Sequence, residues 1–345
     1  MRIILVGCGG VGQSLIHILL RRQEALIQNY GFNSRLVAVV DGEGAAVDPR
    51  GLSLAEMLSL KKERGTVGLH SGGGHLGMSA LDVLETVEAE VMVEVTPTNL
   101  QDGEPALSHI KTAFKTGKHV VTTNKGPLAL AMPALAELAQ YHNVYLRFSG
   151  TVGAGTPVLD LAKKCLLGDR ILSIRGILNG TTNYILTEME KKSITFQQAL
   201  MRAQELGYAE ADPSMDVDGW DTACKLVIMA NWIMDQKVTL KDVAIQGIRD
   251  VSLETLKECG RRNCTIKLVG SIDERLEVSP VEVSYDDPLC VEGVLNAVTF
   301  VSEFAGEETV IGRGAGGMAT ASAILRDVLD IKQNLATRLS GREKT

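Results

Sequence analysis

The chain contains 345 residues and carries a formal net charge of −7, and at about 150 residues per domain this length predicts two domains. Hydrophobic residues make up 45% of the chain and charged residues 22%, which excludes a disordered protein. The acidic balance argues against a nucleic-acid partner, which would need a basic face. There is no apolar run of ~20 residues, so no membrane span is predicted.

Two further features indicate the compartment. The six cysteines form no CxxC pair and no metal-ligand spacing, and unpaired cysteines of this kind are typical of a reducing cytoplasm. The N-terminal apolar run reaches Gly7 too early to be the core of a signal peptide. We therefore expect a cytoplasmic globular protein.

The N-terminal part of the chain alternates short apolar runs with helical patterns. This order predicts an α/β fold with a Rossmann-type, doubly wound parallel sheet over residues 1–148. The segment 42–80 is mixed and receives no clear assignment. Strands are predicted at 2–6, 36–40, 91–95, 119–122 and 144–148, and helices from the Gly-rich turn to about residue 28, at 104–116 and at 133–141.

The pattern changes after residue 148 and predicts a second, α+β domain over 149–310. Its later part is richer in strands, and a Gly-rich loop at 312–317 precedes a terminal helix. A helix is predicted at 158–167, and strands at 171–177, 265–272, 276–284 and 298–304.

The first motif is a GxGxxG loop between the first strand and the first helix, formed by Gly7, Gly9 and Gly12. In this pattern the first glycine allows a tight turn, the second lets the backbone approach a pyrophosphate, and the third lets the helix pack on the strand. The free N–H groups of Gly10 and Val11 would face the phosphates. The loop therefore predicts dinucleotide binding, although a tight turn without a ligand is the plainer alternative.

Asp41 follows the second strand, where a carboxylate can accept the ribose hydroxyls of the cofactor. A negative charge at this position would repel a 2′-phosphate, which favours NAD over NADP. Arg35 or Arg50 could fold back and soften that preference.

The second motif is an acidic loop that runs into a helix. Five of the twelve residues from Glu210 to Asp221 are acidic, and such like charges need a cation or solvent to stabilise them. A calcium-binding EF-hand is rejected, because the register that puts Gly219 at position six puts Lys225 where the bidentate glutamate belongs. A solvated loop remains the plain alternative.

Asp221 and Lys225 lie four residues apart on the predicted helix, so their side chains can meet. A carboxylate holds such an ammonium in place, and a lysine in a partly desolvated cleft can exchange protons with a substrate hydroxyl. Glu210 and Asp216 would then face a cation of the substrate, such as an α-ammonium group.

This segment resembles the motif of the homoserine dehydrogenases. Other segments agree with the same family across nearly the whole chain. The main run is Ala203-x3-Gly207-Tyr208-Ala209-x2-Asp212-Pro213-x2-Asp216-Val217-x-Gly219-x-Asp221-x3-Lys225, and the others are Thr123-Asn124-Lys125, Thr151-Val152-Gly153-Ala154-Gly155, Asn179-Gly180-Thr181-Thr182-Asn183 and Gly314-Ala315-Gly316 with Thr320-Ala321.

Homoserine dehydrogenases reversibly reduce L-aspartate 4-semialdehyde to L-homoserine with NAD(P)H, a step that feeds threonine, methionine and isoleucine synthesis. The resemblance implies that Lys225 donates a proton to the aldehyde oxygen and that Asp221 orients this lysine. It implies that Lys125, at the end of a sheet strand, lies beside the reacting oxygen and the nicotinamide.

The resemblance also implies binding roles. Glu210 and Asp216 would hold the ammonium group of the amino acid, and Gly180 would belong to the substrate site. Thr96 would lie at the nicotinamide, and Gly316 would belong to a C-terminal loop that closes the nucleotide site. Residues 311–345 would thus complete the first domain, and 149–310 would bind substrate and form a homodimer.

Members of this family often bind a sodium ion through backbone carbonyls, here those of Val152 and Ala154. The acidic side chain that some relatives carry just upstream is replaced by Ser149, and a Gly-rich hinge is the alternative for this loop. The resemblance is to the short form of the enzyme, so we expect no regulatory domain after residue 345 and no fused kinase before residue 1.

Two other functions remain open on the residues alone. One is a related NAD(P)-dependent oxidoreductase that acts on another small amino-acid aldehyde or alcohol. The other is a non-catalytic dinucleotide-binding sensor, which would be expected to lose the chemical residues, whereas Lys125, Asp221 and Lys225 are all present.

Overall fold

The structure, a computed structural model, describes residues 1–342. The chain divides into two compact units. The first comprises Met1–Thr151 and the C-terminal segment that begins at Gly316, and the second comprises Val152–Ala315. The predicted class, an α/β fold with a parallel sheet and a second sheet-containing unit, is confirmed.

The first unit is built on a seven-stranded sheet. Its strands are β1 (Arg2–Val6), β2 (Arg35–Asp41), β3 (Gly44–Val47), β4 (Gly74–Leu76), β5 (Val91–Glu94), β6 (His119–Thr122) and β7 (Leu146–Arg147), in the order β4-β3-β2-β1-β5-β6-β7. Five of these strands form the parallel part of the sheet. The parallel pairs are β2–β1, β1–β5, β5–β6 and β6–β7. The strand order reverses between β1 and β5, and ligands of such sheets bind at the carboxyl ends of the strands there.

An antiparallel edge formed by β3 and β4 lies in the segment that received no clear assignment. The segment is polar and rich in glycine, so it shows no alternation of apolar and polar residues from which strands could be predicted. Glycine is needed at Gly73 and Gly74, because a Cβ at either position would collide with neighbouring backbone. The helices of this unit are α1 (Gly10–Tyr30), α2 (Leu54–Arg64), α3 (Ala80–Thr86), α4 (Ala106–Lys115) and α5 (Lys125–Tyr141).

The helix predicted around 133–141 corresponds to the second segment of α5, and a first segment that was not predicted begins at Lys125. The Asn124 side chain accepts a hydrogen bond from the Gly126 N–H and so caps the helix at this earlier point. Pro133 lies inside the helix, which is kinked at Ala131 (φ −145°, ψ 22°). The kink divides the helix, so Pro133 lies in the first turn of the second segment, where a proline is favoured.

The second unit contains a six-stranded sheet. Its strands are β8 (Ile171–Ile177), β9 (Val243–Ile245), β10 (Cys264–Ile272), β11 (Leu276–Ser284), β12 (Leu295–Ser302) and β13 (Gly306–Arg313), in the order β13-β12-β8-β10-β11-β9. Its helices are α6 (Val158–Asp160), α7 (Gly180–Lys192), α8 (Phe196–Glu205), α9 (Ser214–Val217), α10 (Trp220–Ile233) and α11 (Leu253–Gly260).

Two helices of the second unit bear on the site. The predicted helix 158–167 is only partly regular, because α6 gives way at Leu161 to a π-helical turn that ends at Cys165. Helix α10 is buried along almost its whole length. It packs on β10, where a Cβ at Gly270 would lie 3.1 Å from the Thr222 side chain and 3.2 Å from that of Leu226.

The C-terminal helix α12 (Gly317–Arg342) belongs to the first unit and packs against α1. Buried Ile16, Leu19, Ile324 and Val328 share one apolar core with β1 and β2. Among the helices that the structure describes, none combines the length and the apolar character that crossing a bilayer requires.

Candidate active site

The GxGxxG loop has the geometry that a pyrophosphate requires. Gly7 adopts a φ of +104°, and a Cβ at Gly12 would lie 2.2 Å from the Gly7 carbonyl oxygen, so helix α1 could not approach β1 with any other residue there. By contrast, a Cβ at Gly9 or Gly10 would meet nothing within 4 Å. The space over these two residues is therefore open to a ligand that touches backbone.

The first turn of α1 is suited to an anion. Its N-cap is Gly9, so no side chain caps the N–H groups of the helix. Uncapped N–H groups and the positive end of the helix dipole together attract phosphate. Gly317 lies over this turn, since a Cβ there would be 3.3 Å from the Gly10 carbonyl oxygen, and Gly316 turns the chain with a φ of +128°.

Asp41 lies at the carboxyl end of β2, as the motif predicts, but its carboxylate is already engaged by the protein. One oxygen accepts from the Glu43 N–H and the Thr66 hydroxyl, and the other from the Lys61 ammonium and the Val67 N–H, at 2.8 to 3.0 Å. Two carboxylate oxygens have about four acceptor sites. A ribose hydroxyl would have to displace one of these donors.

Lys61 forms an ion pair with Asp41 that the sequence did not predict. Its Nζ lies 2.8 Å from the Asp41 carboxylate, and the Asp41 side chain is only 4% exposed. Although burial opposes it, hydrogen bonds from Lys61 and from backbone N–H groups hold the pKa of Asp41 below its ordinary value. Arg50, which the sequence suggested could fold back and offset the charge of Asp41, instead pairs with Asp48.

A buried network lies at the carboxyl ends of β5 and β6. The Glu94 carboxylate is inaccessible and accepts hydrogen bonds from the Thr96 N–H (3.0 Å), the Thr96 hydroxyl and the Thr122 hydroxyl (3.1 Å). The Asn124 amide donates to the Thr96 carbonyl (3.1 Å). Glu94 therefore fixes the segment that carries Thr96, a role that its place in an apolar strand does not reveal.

Lys125 is the first residue of α5, not the end of a strand, because β6 stops at Thr122. Its side chain is half-buried. Asn124 caps this helix and also contacts the Thr96 segment. The capped turn thus places Lys125 next to the same carboxyl edge of the sheet as Thr96.

The predicted pairing of Asp221 with Lys225 is present in the second unit. The Lys225 Nζ donates to the Asp221 carboxylate at 2.6 Å and to the Leu178 carbonyl at 2.6 Å. Lys225 is 6% exposed and Asp221 is 9% exposed. The lysine is thus a desolvated ammonium, and within residues 1–342 two of its three N–H groups donate to an acceptor.

Asp216 joins this pair through Asn179, whose amide donates to Asp216 (2.6 Å) and to Asp221 (2.9 Å). Burial and the nearby charge of Asp221 raise the pKa of Asp216. Asn179 also caps α7, of which Gly180 is the first residue. A Cβ at Gly180 would lie 2.8 Å from the Val294 carbonyl oxygen, so this turn requires glycine.

Two other acidic residues of the loop, Asp212 and Asp218, have partners outside the Asp216–Asp221 network. Asp218 pairs with the Arg249 guanidinium, and Asp212 accepts from the Ser214 hydroxyl at 2.6 Å. Glu210 is exposed, and the structure places no hydrogen bond between its carboxylate and the Asp216–Asp221 network within residues 1–342. The loop is therefore stabilised by the protein's own donors.

The loop that follows residue 150 is buried and tightly turned. Val152 is 0% exposed and Ala154 is 3% exposed. Gly153 and Ala154 adopt φ values of +81° and +49°, a backbone that reorients successive carbonyl groups. Val152 and Ala154, the residues predicted to bind a cation, thus lie in a buried and tightly turned segment.

Three side chains that could bind a metal ion lie close together in the second unit, although the spacing of the cysteines in the sequence predicted no metal site. The Cys259, Cys264 and Glu282 ligand atoms lie within 4.8 Å of one another. The Arg262 guanidinium donates to Glu282 at 2.5 Å, and the Cys264 thiol donates to the Cys259 carbonyl at 3.2 Å. Burial raises the pKa of the Cys259 thiol to about 11, so it is a neutral, packed thiol.

The phosphate-binding turn of the first unit and the buried lysine–carboxylate pair of the second define a nicotinamide-dependent oxidoreductase. A family model for the homoserine dehydrogenase NAD binding domain matches residues 7–149, and a model for homoserine dehydrogenase matches residues 157–329. The chain belongs to the homoserine dehydrogenase family.

Individual relatives agree over nearly full length. A homoserine dehydrogenase of Methanocaldococcus jannaschii is 48% identical, with 96% of this chain and 98% of that protein covered. An NAD(+)-dependent homoserine dehydrogenase of Pseudomonas canavaninivorans is 41% identical, with 98% and 97% covered. The solved structure of a hyperthermophilic archaeal homoserine dehydrogenase mutant in complex with NADPH is 29% identical, with a TM-score of 0.85 and 96% and 98% covered.

The raised pKa of Asp216 leads to a stability prediction. Because folding disfavours its ionised form, ionised Asp216 destabilises the fold at neutral pH. Asp216→Asn should therefore raise the melting temperature at pH 8 by about 2 °C. The difference should shrink as the pH falls through the raised pKa of the native carboxyl toward its ordinary value. Differential scanning calorimetry across this pH range measures both effects.

Asp212→Asn is the matched control, because hydrogen bonds from Ser214 lower the pKa of Asp212. Its ionised form stabilises the fold above the ordinary pKa, so this substitution should lower the melting temperature at pH 8. If both substitutions changed stability in the same direction, the assigned environment of Asp216 would be wrong.

Proposed function

We propose that this chain catalyses the NAD(P)-dependent interconversion of L-homoserine and L-aspartate 4-semialdehyde. In the reductive direction, the bound nicotinamide supplies a hydride to the aldehyde carbon. A proton must also reach the aldehyde oxygen to complete the alcohol. The observation that carries the proposal is the buried ammonium of Lys225, 2.6 Å from the Asp221 carboxylate.

Lys225 is the proton donor of this proposal. Two of its N–H groups are held by Asp221 and by the Leu178 carbonyl, which leaves one to donate to the substrate oxygen. Transfer of a proton from the Lys225 ammonium to the aldehyde oxygen completes the reduction. In the oxidation, the Lys225 amine takes the proton back from the homoserine hydroxyl. A buried ammonium with fixed partners needs little reorganisation before the transfer.

Asp221 orients Lys225 by accepting its hydrogen bond. The same Asp221 oxygen accepts from Lys225 and from Asn179, which limits how the carboxylate can rotate. A carboxylate in this position acts on the lysine and not on the substrate. We assign Lys125 as a second lysine beside the reacting oxygen and the nicotinamide, on the ground of its place at the edge of the sheet after β6.

Asp216 and Glu210 bind the ammonium group of the amino acid in this proposal. Asp216 and Asp221 supply two negative charges where Lys225 supplies one positive charge. A substrate ammonium would restore the balance of charge. The exposed carboxylate of Glu210 is available to such a group, and Gly180 is assigned to the substrate site as the first residue of α7, the helix that Asn179 caps.

The cofactor of this proposal lies on the first unit. Its pyrophosphate would contact the open backbone of the Gly-rich turn, and its nicotinamide would lie at the carboxyl edge near Thr96. Gly316 would close the site from the C-terminal segment. The residues assigned to the cofactor are Gly7, Gly9, Gly10, Val11, Gly12, Asp41, Thr96, Lys125 and Gly316.

We propose NAD as the preferred cofactor, on the ground of the Asp41 carboxylate at the end of β2. Because Asp41 is saturated by donors, it acts through its charge and through Lys61 more than through a direct bond to the ribose. Lys61 moderates the preference, since its ammonium neutralises part of that charge. A relative at 41% identity is described as NAD(+)-dependent.

Three further assignments complete the proposal. The chain forms a homodimer through the sheet of its second unit. This is supported by the exposed apolar side chains of Leu172 (44%), Phe304 (80%) and Ile311 (49%), which lie on or beside β8, β12 and β13.

The carbonyls of Val152 and Ala154 bind a sodium ion. The compartment is the cytoplasm, since all six cysteines are free thiols.

The role of Lys225 predicts a specific kinetic defect. Lys225→Met removes the ammonium and keeps the apolar stem. Because a positioned general acid contributes roughly 10²–10⁴-fold, kcat for homoserine oxidation should fall by about 10³-fold, while the Kd for NAD, measured by fluorescence titration, should stay within about twofold.

Lys267→Met is the matched control. Lys267 is also buried, at 2% exposure, and its ammonium donates to the Asn183 side chain at 2.9 Å, away from the Asp221 pair. Its loss should lower the melting temperature and leave kcat near the native value. An equal loss of NAD affinity and of kcat in Lys225→Met would contradict the assigned role.

The charge at the end of β2 predicts a change of cofactor preference. Asp41→Asn leaves the Lys61 ammonium without its carboxylate, so Lys61 can attract a 2′-phosphate. The ratio of kcat/KM for NAD to kcat/KM for NADP should fall by about tenfold, the effect of roughly 1.4 kcal/mol. Lys61→Met should shift the ratio the other way. If neither substitution moved the ratio, the pair would have no role in cofactor choice.

A further inference from the structure

A second side chain shares the carbonyl that holds Lys225. The Asn296 amide nitrogen, on β12, donates to the Leu178 carbonyl at 2.8 Å, and the Lys225 ammonium donates to the same oxygen at 2.6 Å. The two donors fill both lone pairs of this oxygen. The amide therefore lies directly beside the proposed proton donor, although 71 positions separate Asn296 from Lys225 in the sequence.

The other end of this amide has no partner. Asn296 is 5% exposed, and its Oδ1 is buried without a hydrogen bond to any residue that the structure describes. Buried acceptors are almost always satisfied in folded proteins. The Leu178 carbonyl fixes which end is which, because a flipped amide would oppose two acceptors there. The unpaired oxygen is thus a real feature of the site.

The glycine-rich loop before α12 makes room for this amide. A Cβ at Gly314 would lie 1.9 Å from the Asn296 Nδ2 and 2.7 Å from its Oδ1. Any other residue at position 314 would push the amide away from the Leu178 carbonyl. Gly314 thus has a structural purpose that the nucleotide site does not account for.

We propose that Asn296 is a further substrate-binding residue, whose Oδ1 accepts a hydrogen bond from the α-ammonium group of homoserine. The assignment rests on the proposed role of Lys225. Homoserine has two kinds of donor, its hydroxyl and its ammonium group. Lys225 exchanges the hydroxyl proton, so the ammonium is the donor that remains for an acceptor beside Lys225.

The surrounding charges agree with this assignment. Hydrogen bonds connect Asp216, Asn179, Asp221, Lys225 and, through the Leu178 carbonyl, Asn296. An ammonium group has three N–H donors, more than one carboxylate accepts with good geometry. A neutral oxygen can take one of them without adding a third negative charge to the site.

The test compares two ligands on one variant. Asn296→Leu keeps the approximate shape of the side chain and removes the acceptor. We expect the KM for homoserine to rise about tenfold, the loss expected for one hydrogen bond to a charged group. The inhibition constant of 4-hydroxybutanoate, which is homoserine without its amino group, should stay within about twofold, and so should the Kd for NAD.

Asn231→Leu is the matched control, because Asn231 exchanges two hydrogen bonds with the backbone of Val238 and contacts none of the site residues. It should lower the melting temperature without changing the KM for homoserine. Asn296→Asp, which keeps an acceptor, should retain more homoserine affinity than Asn296→Leu.

Two outcomes would overturn the proposal. One is an unchanged KM for homoserine in Asn296→Leu, and the other is an equal loss for homoserine and 4-hydroxybutanoate, which would mean that Asn296 acts only by positioning Lys225. A Lys225→Met enzyme with native turnover would instead refute the proposed role of Lys225, so the two failures are distinguishable.

Discussion

The site in the second unit depends on one buried ion pair. Lys225 and Asp221 are each less than a tenth exposed, and a buried charge without its partner costs several kcal/mol. The two residues lie four positions apart on one helix face, which brings the Lys225 Nζ to 2.6 Å from the Asp221 carboxylate. The Leu178 carbonyl supplies a second acceptor and so fixes the ammonium in one orientation. Asn179, Asp216 and Asn296 are all arranged around these groups.

The carboxylates of Asp41 and Asp216 differ in how far the protein compensates their negative charge. Asp41 is surrounded by donors, which satisfy its charge within the protein. Asp216 is left with less compensation, since burial and Asp221 both oppose its ionisation. Uncompensated negative charge destabilises a fold but favours a cationic ligand. We interpret this difference as support for the two proposed roles, in which Asp41 acts on the cofactor through its charge and Asp216 binds the ammonium group of the amino acid.

The parts of the site that could be predicted depend on short spacings. The i, i+4 relation of Asp221 and Lys225 and the GxGxxG turn between β1 and α1 require only local geometry. Lys61 meets Asp41 across twenty residues, from a helix in a segment without clear periodicity. Glu94 lies in an apolar strand, and its contact with Thr122 arises only when β5 pairs with β6. Asn296 reaches Lys225 through strand β12 of a sheet whose order is not readable from the chain. The start of α5 was obscured by Pro133, which the kink at Ala131 accommodates.

In the proposed reaction the buried amine of Lys225 carries the proton. Chemical rescue of Lys225→Ala by small primary amines tests this role, because an added amine can occupy the vacated space and act as the acid or base. We predict that the turnover of homoserine rises with amine concentration and that the rescued rate depends on the pKa of the amine, as general acid–base catalysis requires. A variant that binds NAD and homoserine, yet gains no turnover from any amine or gains it without dependence on the amine pKa, would contradict this role.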